Sequence, residues 1–174
     1  MVTEVDALRL AIEKERGAHQ YYSDAAKRAT SEASKKMFLW LADEEKGHLQ
    51  LLESQCAAVE QNGEWFAEDK APAGCKLSTP IERSEFPNLS ETKDEPKPEA
   101  PEMDILSRAI ADERDAAQSY AEMAEAVSDP RGKEMLRKLS QIEHGHLALL
   151  EEEYEFIRRS KPMFPIHRFT LPRN

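Results

Sequence analysis

One segment of this chain occurs twice. Leu8–Glu53 aligns with Leu106–Glu151 without a gap, and 19 of the 46 aligned residues are identical. Each copy contains Glu, two residues and then His inside a leucine-rich run, EEKGHLQLL in the first copy and IEHGHLALL in the second. A unit of this length, present twice, is longer than a solenoid repeat. It therefore predicts the duplication of a helical hairpin.

Each copy predicts two helices. Thr3 fits a helix N-cap with Asp6 in the first turn, Thr30-Ser31 and Ser128-Asp129-Pro130 fit the breaks between helices, and Asn62-Gly63 is a stop signal. On one face of each helix, residues recur at alternating steps of four and three, which is the period of a core-facing stripe. These stripes are Leu8, Ile12, Glu15, His19, Tyr22 and Ala26; Phe38, Leu41, Glu45, His48 and Leu52; Leu106, Ile110, Glu113, Ala117, Tyr120 and Ala124; and Leu136, Leu139, Glu143, His146 and Leu150.

The segment between the copies is rich in proline and predicts neither a strand nor a long helix. Helices of about 26 residues are about 39 Å long, and a connection of this length lets the third helix run in the same direction as the second. The sequence thus predicts an all-α four-helix bundle in a single domain, with hairpins at 4–61 and 104–159, a crossover at 62–103 and an extended tail at 160–174. Apolar residues of the crossover are expected to pin it to the bundle: Trp65, Phe66, Ile81, Phe86 and Leu89.

Composition excludes several classes of function. The net charge of −10 argues against a nucleic-acid partner, because phosphates require a basic surface. No apolar run approaches the roughly 20 residues of a membrane span, and the acidic N-terminal sequence lacks the apolar region of a signal peptide. We therefore expect a cytoplasmic protein with no membrane partner. Cys56 and Cys75 form no Cys-x-x-Cys pair and are interpreted as thiols, with a disulfide between them as the lesser alternative.

Six polar residues lie on the core-facing stripes, and they predict a metal site: Glu15, Glu45, His48, Glu113, Glu143 and His146. Burying an isolated carboxylate costs several kcal/mol, and four that face one another raise each other's pKa. Two divalent cations would balance the four negative charges. Glu and His at i and i+3 share a helical face, so that both can bind one ion. Sites rich in carboxylate, with one imidazole per metal, suit iron or manganese, and zinc is an alternative.

Other polar residues are less diagnostic. Tyr22 and Tyr120 follow the first Glu of each copy by seven residues on the same face, and we interpret them as groups that orient a carboxylate ligand; the alternative is a plain core role. His19 is interpreted as a polar residue at the edge of the site because its counterpart is Ala117. His144 and His167 are expected to play no part.

At these residues the chain resembles the rubrerythrin branch of the ferritin-like superfamily, over residues 4–61 and 104–159. The resemblance implies a ferritin-like bundle with a non-haem di-iron site. It also implies that Glu45 and Glu143 bridge the metals, that Glu15 and Glu113 are terminal ligands, and that His48 and His146 bind one metal each. Rubrerythrins carry a further ligand Glu where this chain has Ala116, and a rubredoxin domain whose Cys-x-x-Cys pairs are not found in this sequence. Electrons are therefore expected from a separate donor protein.

The leading functional expectation is a di-iron oxidoreductase holding two iron ions, with peroxide or dioxygen as its partner. Reduction of hydrogen peroxide is the first choice and oxidation of ferrous iron the second. A metal-binding or iron-handling protein without turnover, holding zinc or manganese, is the alternative. An adaptor bundle is a third hypothesis, suggested by the apolar stretch Phe38–Leu41. Within it Trp40 is matched by Lys138, a difference that we interpret as contact with the crossover, with a dimer face as the lesser alternative. The long connection also allows exchange of hairpins in a homodimer.

Overall fold

The computed structural model describes residues 3–67, 70–72, 77 and 100–160. These residues form four helices: α1 (Glu4–Arg28), α2 (Glu32–Asn62), α3 (Ala100–Ala126) and α4 (Pro130–Ser160). The helix α3 begins four residues before the boundary at 104 that the sequence predicted. Among the described residues, no helix has the length and apolar character needed to cross a bilayer.

The helix ends follow from local side-chain chemistry. The Thr3 Oγ1 accepts a hydrogen bond from the Asp6 backbone N–H at 3.1 Å, and the Asp6 carboxylate accepts one from the Thr3 N–H in return. The Ser31 hydroxyl accepts from the Ser34 N–H at 3.0 Å at the start of α2. The helix α2 ends at Gly63, whose φ of 70° lies in the left-handed region that glycine tolerates best.

Contacts between helices define the topology. Ion pairs Arg9–Glu60 and Arg16–Glu53 join α1 to α2 in antiparallel order. The helices α3 and α4 are antiparallel in the same way, and Arg114–Glu151 is the repeat counterpart of Arg16–Glu53. Between α1 and α3, Glu15 pairs with Tyr120, which is late in α3, whereas Tyr21 pairs with Ile105, which is early in α3. The helix α1 is therefore antiparallel to α3 as well. The helices α2 and α3 therefore run in the same direction, and the long connection returns the chain along the bundle. The predicted four-helix bundle of two repeated hairpins is confirmed.

The apolar core is divided in two by a polar layer. One cluster lies towards the start of α1 and the end of α2 and includes Leu8, Leu52 and Leu136. The other lies towards the end of α1 and the start of α2 and includes Phe38 and Leu106. The glutamates and histidines of the predicted site occupy the layer between the two clusters. The polar layer of glutamates and histidines is therefore enclosed on two sides by packed apolar side chains.

The described part of the crossover is held to the bundle by Trp65 and Phe66. The Trp65 indole is 1% exposed, and its Nε1 donates to Glu4 Oε2 at 2.6 Å. A Cβ on Gly132 would lie 2.6 Å from the Trp65 ring, so the ring rests directly on a glycine of α4. Gln55 accepts from the Phe66 N–H at 3.1 Å and donates to the Phe66 carbonyl at 2.9 Å. Three other residues were expected to hold the crossover to the bundle, and they lie outside the described residues: Ile81, Phe86 and Leu89. Cys75, His167 and the tail after residue 160 lie outside them as well.

Candidate metal centre

The six residues predicted from the repeat converge in the middle of the bundle. Each is at most 3% exposed. One residue comes from α1, two from α2, one from α3 and two from α4, because each lies on the core-facing stripe of its helix. Their side chains form two overlapping groups: Glu15, Glu45, His48 and Glu143, and Glu45, Glu113, Glu143 and His146. Within each group, one ligand atom per residue lies within 4.8 Å of all the others, so that each group could hold one metal ion.

The two groups share Glu45 and Glu143. The Nδ1 of His48 lies 3.2 Å from Glu45 Oε2 and 3.4 Å from Glu143 Oε1. The Nδ1 of His146 lies 2.8 Å from Glu143 Oε2 and 3.0 Å from Glu45 Oε1. The two imidazole rings are nearly parallel, with centroids 5.8 Å apart. Each shared carboxylate thus faces both histidines, which is the geometry that a carboxylate bridging two metals requires.

The remaining two carboxylates belong to one group each. Glu15 Oε2 lies 3.5 Å from the Nδ1 of His48, and Glu113 Oε2 lies 3.9 Å from the Nδ1 of His146. Each of them also accepts a hydrogen bond from a tyrosine of the other repeat: Tyr22 donates to Glu113 Oε1, and Tyr120 donates to Glu15 Oε1. The phenols therefore hold one oxygen of each carboxylate and leave the second oxygen directed at the cluster.

Burial controls the protonation of the tyrosines. Desolvation, followed by the negative charge of the nearby glutamates, raises the pKa of Tyr22 and Tyr120 well above the usual range. Both phenols consequently stay protonated over the range in which proteins are stable. They act as permanent hydrogen-bond donors, which is the role that the repeat pattern suggested for them.

The carboxylates divide into two classes. Burial, together with the charges of Glu45 and Glu143, raises the pKa of Glu15 and of Glu113 well above the usual range. Burial would also raise the pKa of Glu45 and Glu143. For Glu45, the adjacent Glu15 carboxyl group and the nearby imidazoles lower its pKa well below the usual range, and the imidazoles lower the pKa of Glu143.

The imidazoles complete this proton arrangement. Burial would lower the pKa of His48 and His146, but the surrounding carboxylates raise both pKa values well above the usual range. Without metal, these shifts favour the protonated forms of Glu15, Glu113 and both histidines. Two imidazolium charges then balance the ionised Glu45 and Glu143. The described residues place no lysine or arginine among the buried polar groups.

The cluster fits a pair of divalent cations. Three of its buried carboxylate oxygens have no hydrogen-bond partner: Glu15 Oε2, Glu45 Oε1 and Glu143 Oε1. Buried polar atoms are normally paired, so unpartnered oxygens that face one another indicate a ligand that accepts their lone pairs. Two divalent cations carry four positive charges, which equals the charge of the four ionised carboxylates. Oxygen and imidazole donors in this ratio suit first-row metals.

Metal binding is expected to release protons. If two divalent ions ionise Glu15 and Glu113 and leave both imidazoles neutral, about four protons leave the protein near pH 7. These groups have raised pKa values, and the metal must displace their protons. Because a lower pH strengthens the competition from protons, the apparent metal affinity should fall with decreasing pH. Titration of the metal-free protein with Zn²⁺ in a weakly buffered solution that contains a pH indicator measures the proton count.

The matched reference is the same titration of protein already saturated with zinc, which should release no further protons. Release of fewer than about two protons for two bound ions would contradict the proton arrangement described above, since the two imidazoliums alone must lose that number.

The neighbourhood of the cluster includes two contacts that the sequence did not indicate. The Trp40 ring meets the His146 ring edge-on, with centroids 5.7 Å apart. The Nδ1 of His19 lies 2.7 Å from the Ala42 carbonyl oxygen, outside both groups of candidate ligands. His144 is exposed, and its Nδ1 lies 2.7 Å from the Ser140 carbonyl oxygen. The mismatch between Trp40 and Lys138 in the repeat is the sequence feature that could have pointed to the contact between Trp40 and His146.

Comparison with known proteins supports the helical architecture. The family model described as Rubrerythrin matches residues 6–154. A solved structure of a hypothetical protein from Pyrococcus furiosus is similar to the chain, with 27% sequence identity and a TM-score of 0.66, and the match covers 92% of this chain and 94% of that one. The comparison with curated proteins gave no match.

Proposed function

The chain belongs to the rubrerythrin family, and we propose that it is a non-haem di-iron oxidoreductase that reduces hydrogen peroxide or oxidises ferrous iron. The observation that carries this proposal is the buried cluster of four carboxylates and two imidazoles, which forms two groups that share Glu45 and Glu143. A structural role does not account for such a cluster, because burying these groups without a cation costs several kcal/mol of folding free energy.

The residues that would hold iron follow from the two groups. Glu15 and His48 would bind one ion, Glu113 and His146 the other, and Glu45 and Glu143 both. Iron is favoured over zinc because each position combines several carboxylates with a single imidazole. It is favoured over manganese because the chain belongs to the rubrerythrin family. A ferrous pair would supply the two electrons that are needed to break an O–O bond.

The protein side chains would contribute position, charge and exclusion of water. The apolar clusters above and below the layer exclude water from the carboxylates on those two sides, and electrostatic interactions are stronger in such an environment. Tyr22 and Tyr120 keep Glu113 and Glu15 in a fixed orientation through their hydrogen bonds. The ligands come from four packed helices, which would hold the two metal positions close together.

Rapid mixing of the ferrous protein tests the proposal. Protein loaded anaerobically with two ferrous ions is mixed with hydrogen peroxide or with dioxygen in parallel, and ferric absorbance and remaining peroxide are recorded. We expect rapid formation of ferric iron with loss of about one peroxide per two irons, since each peroxide takes up two electrons and two protons to give two waters. Zinc-loaded protein is the matched control and should leave the peroxide unchanged.

The same experiment separates the candidate activities. A faster reaction with peroxide than with dioxygen supports a peroxidase, and the reverse order supports a ferroxidase. If iron is bound but neither oxidant reacts faster than with free ferrous iron, the oxidoreductase proposal is wrong, and the protein handles metal without turnover. Repeated reduction of peroxide would require an electron donor that returns the iron pair to the ferrous state, whereas a ferroxidase would need only fresh ferrous iron.

A further inference from the structure

A cleft of about 270 Å³ leads from the surface between α1 and α3 to the carboxylate cluster. Its inner end is formed by cluster residues and by both tyrosines that bind them, Tyr22 and Tyr120. Its outer part is lined by Gly17, Ala18 and Ala116. The cleft therefore includes the space beside the cluster carboxylates, where metal ions would bind, and continues between α1 and α3 to exposed residues such as Glu13 and Asp112.

The cleft exists because the facing residues are small. Ala18 and Ala116 are repeat counterparts and present only methyl groups, and a Cβ on Gly17 would meet no atom within 4 Å. The two helices are held together by longer side chains at the sides of the cleft. Lys14 forms an ion pair with Asp115 at 2.6 Å, and the Tyr21 hydroxyl donates to the Ile105 carbonyl at 2.7 Å.

The charges at the mouth favour neutral molecules. Three acidic residues and two basic residues lie there: Glu13, Asp112, Asp115, Lys14 and Arg108. Both cations are engaged, Lys14 with Asp115 and Arg108 with Asp112 at 3.5 Å, and Arg108 also lies over the Tyr21 ring at 5.1 Å from its centroid. An incoming anion would have to break one of these pairs and approach a cluster of carboxylates.

The size of the cleft exceeds what hydrogen peroxide needs. One water takes about 30 Å³ in the liquid, so two bonded oxygen atoms fill only a small part of the space. We propose that the cleft binds the organic group of a neutral alkyl or aryl hydroperoxide, whose O–O group then lies at the carboxylate cluster. This inference rests on the proposed function and extends its substrate from hydrogen peroxide to organic hydroperoxides.

The reaction balances with the reductant that the proposed function supplies. The O–O bond of the hydroperoxide breaks, two electrons come from the ferrous pair, which becomes ferric, and two protons are taken up. The oxygen bonded to carbon leaves as an alcohol, and the other oxygen leaves as water. The alcohol product keeps the organic group and should therefore bind in the same cleft.

Variants of Ala116 test the cleft. The Ala116→Leu variant places a larger side chain in the cleft, and Ala121→Leu adds the same group at an exposed position of the same helix. With ferrous protein, we expect tert-butyl and cumene hydroperoxide to react readily. In Ala116→Leu, the ratio of the organic hydroperoxide rate to the hydrogen peroxide rate should fall by about tenfold or more, since the added carbons take space from the organic group and even one methylene changes such rates by about tenfold or more. Ala121→Leu should leave this ratio unchanged.

Binding of the alcohol product gives a readout without turnover. Zinc-loaded protein should bind cumyl alcohol, detected by saturation-transfer NMR, and Ala116→Leu should lose most of this signal while Ala121→Leu keeps it. If wild-type ferrous protein reacts with hydrogen peroxide but not with organic hydroperoxides, or if Ala116→Leu changes neither the ratio nor the alcohol signal, the inference is overturned and the proposed function stands. If neither hydrogen peroxide nor an organic hydroperoxide reacts, the peroxidase form of the proposed function fails and the inference falls with it, whereas a reaction with dioxygen would leave the ferroxidase form standing.

Discussion

The double variant Glu45→Gln/Glu143→Gln is expected to bind no divalent metal under conditions in which the wild-type protein binds two ions. Both residues belong to both groups of candidate ligands, so their replacement affects the two positions together. Glutamine keeps the size of the side chain but removes the charge. Two of the four negative charges that would balance the cations are then lost. We expect metal affinity to fall by more than roughly 100-fold, since partners beyond the ligands already change it by 10–100-fold.

Equilibrium dialysis against zinc or ferrous iron, followed by elemental analysis, measures the number of ions bound. The pair Glu53→Gln/Glu151→Gln is a matched control, because these residues occupy equivalent positions of the same two helices and form exposed ion pairs with Arg16 and Arg114. The control should retain two ions. Circular dichroism should show that both double variants keep their helices. Retention of two tightly bound ions by Glu45→Gln/Glu143→Gln would show that the cluster does not hold the metal.

The parts of the structure that depend on local sequence could be predicted. Thr3, Ser31 and Gly63 set helix ends through bonds to neighbouring backbone groups or through their own φ. The inward direction of Glu45 and Glu143 follows from helical periodicity, because each occupies the position that its apolar neighbours bury. The repeat added the decisive information, since a single Glu-x-x-His could arise by chance whereas two in register mark a shared core position.

The pairing between repeats could not be predicted, because it depends on the alignment of α1 with α3. From the sequence, Tyr22 lies two turns after Glu15 on the same helix. In the structure, its hydroxyl reaches Glu113 of the other repeat, and Tyr120 reaches Glu15. The same exchange occurs at the bundle ends, where Glu4 accepts from Ser128 and Glu102 accepts from Thr30. These contacts arise from antiparallel packing of helices that are about 100 residues apart in sequence, and no local pattern encodes that packing.

The cleft is a second feature that periodicity does not encode. Ala18 and Ala116 could equally have allowed α1 and α3 to approach closely, as small residues do at many helix contacts. In the structure, Tyr22 and Tyr120 each reach from one helix to a glutamate of the other, and the cleft between α1 and α3 is lined by these tyrosines as well as by the two alanines.

The Trp65→Ala variant is expected to lose about 3–5 kcal/mol of unfolding free energy in the metal-free protein, the usual cost of removing a buried tryptophan. The indole is among the largest fully buried side chains, fills the space above Gly132 and donates a hydrogen bond to Glu4 at 2.6 Å. A chain of this length loses about 2–4 °C in Tm per kcal/mol, so that Tm should fall by roughly 6–20 °C. Differential scanning calorimetry and urea unfolding give the two quantities.

The Trp65→Phe variant separates packing from the hydrogen bond, because phenylalanine keeps a ring in the space but cannot donate to Glu4. A bond to a charged acceptor contributes about 1.5–3 kcal/mol, and the Phe variant should therefore fall between the wild type and Trp65→Ala. Both variants should still bind two metal ions, since Trp65 lies outside the two ligand groups. A loss below about 1 kcal/mol for Trp65→Ala would contradict this prediction. It would mean that α1 and α4 hold this end of the bundle together without the help of the indole.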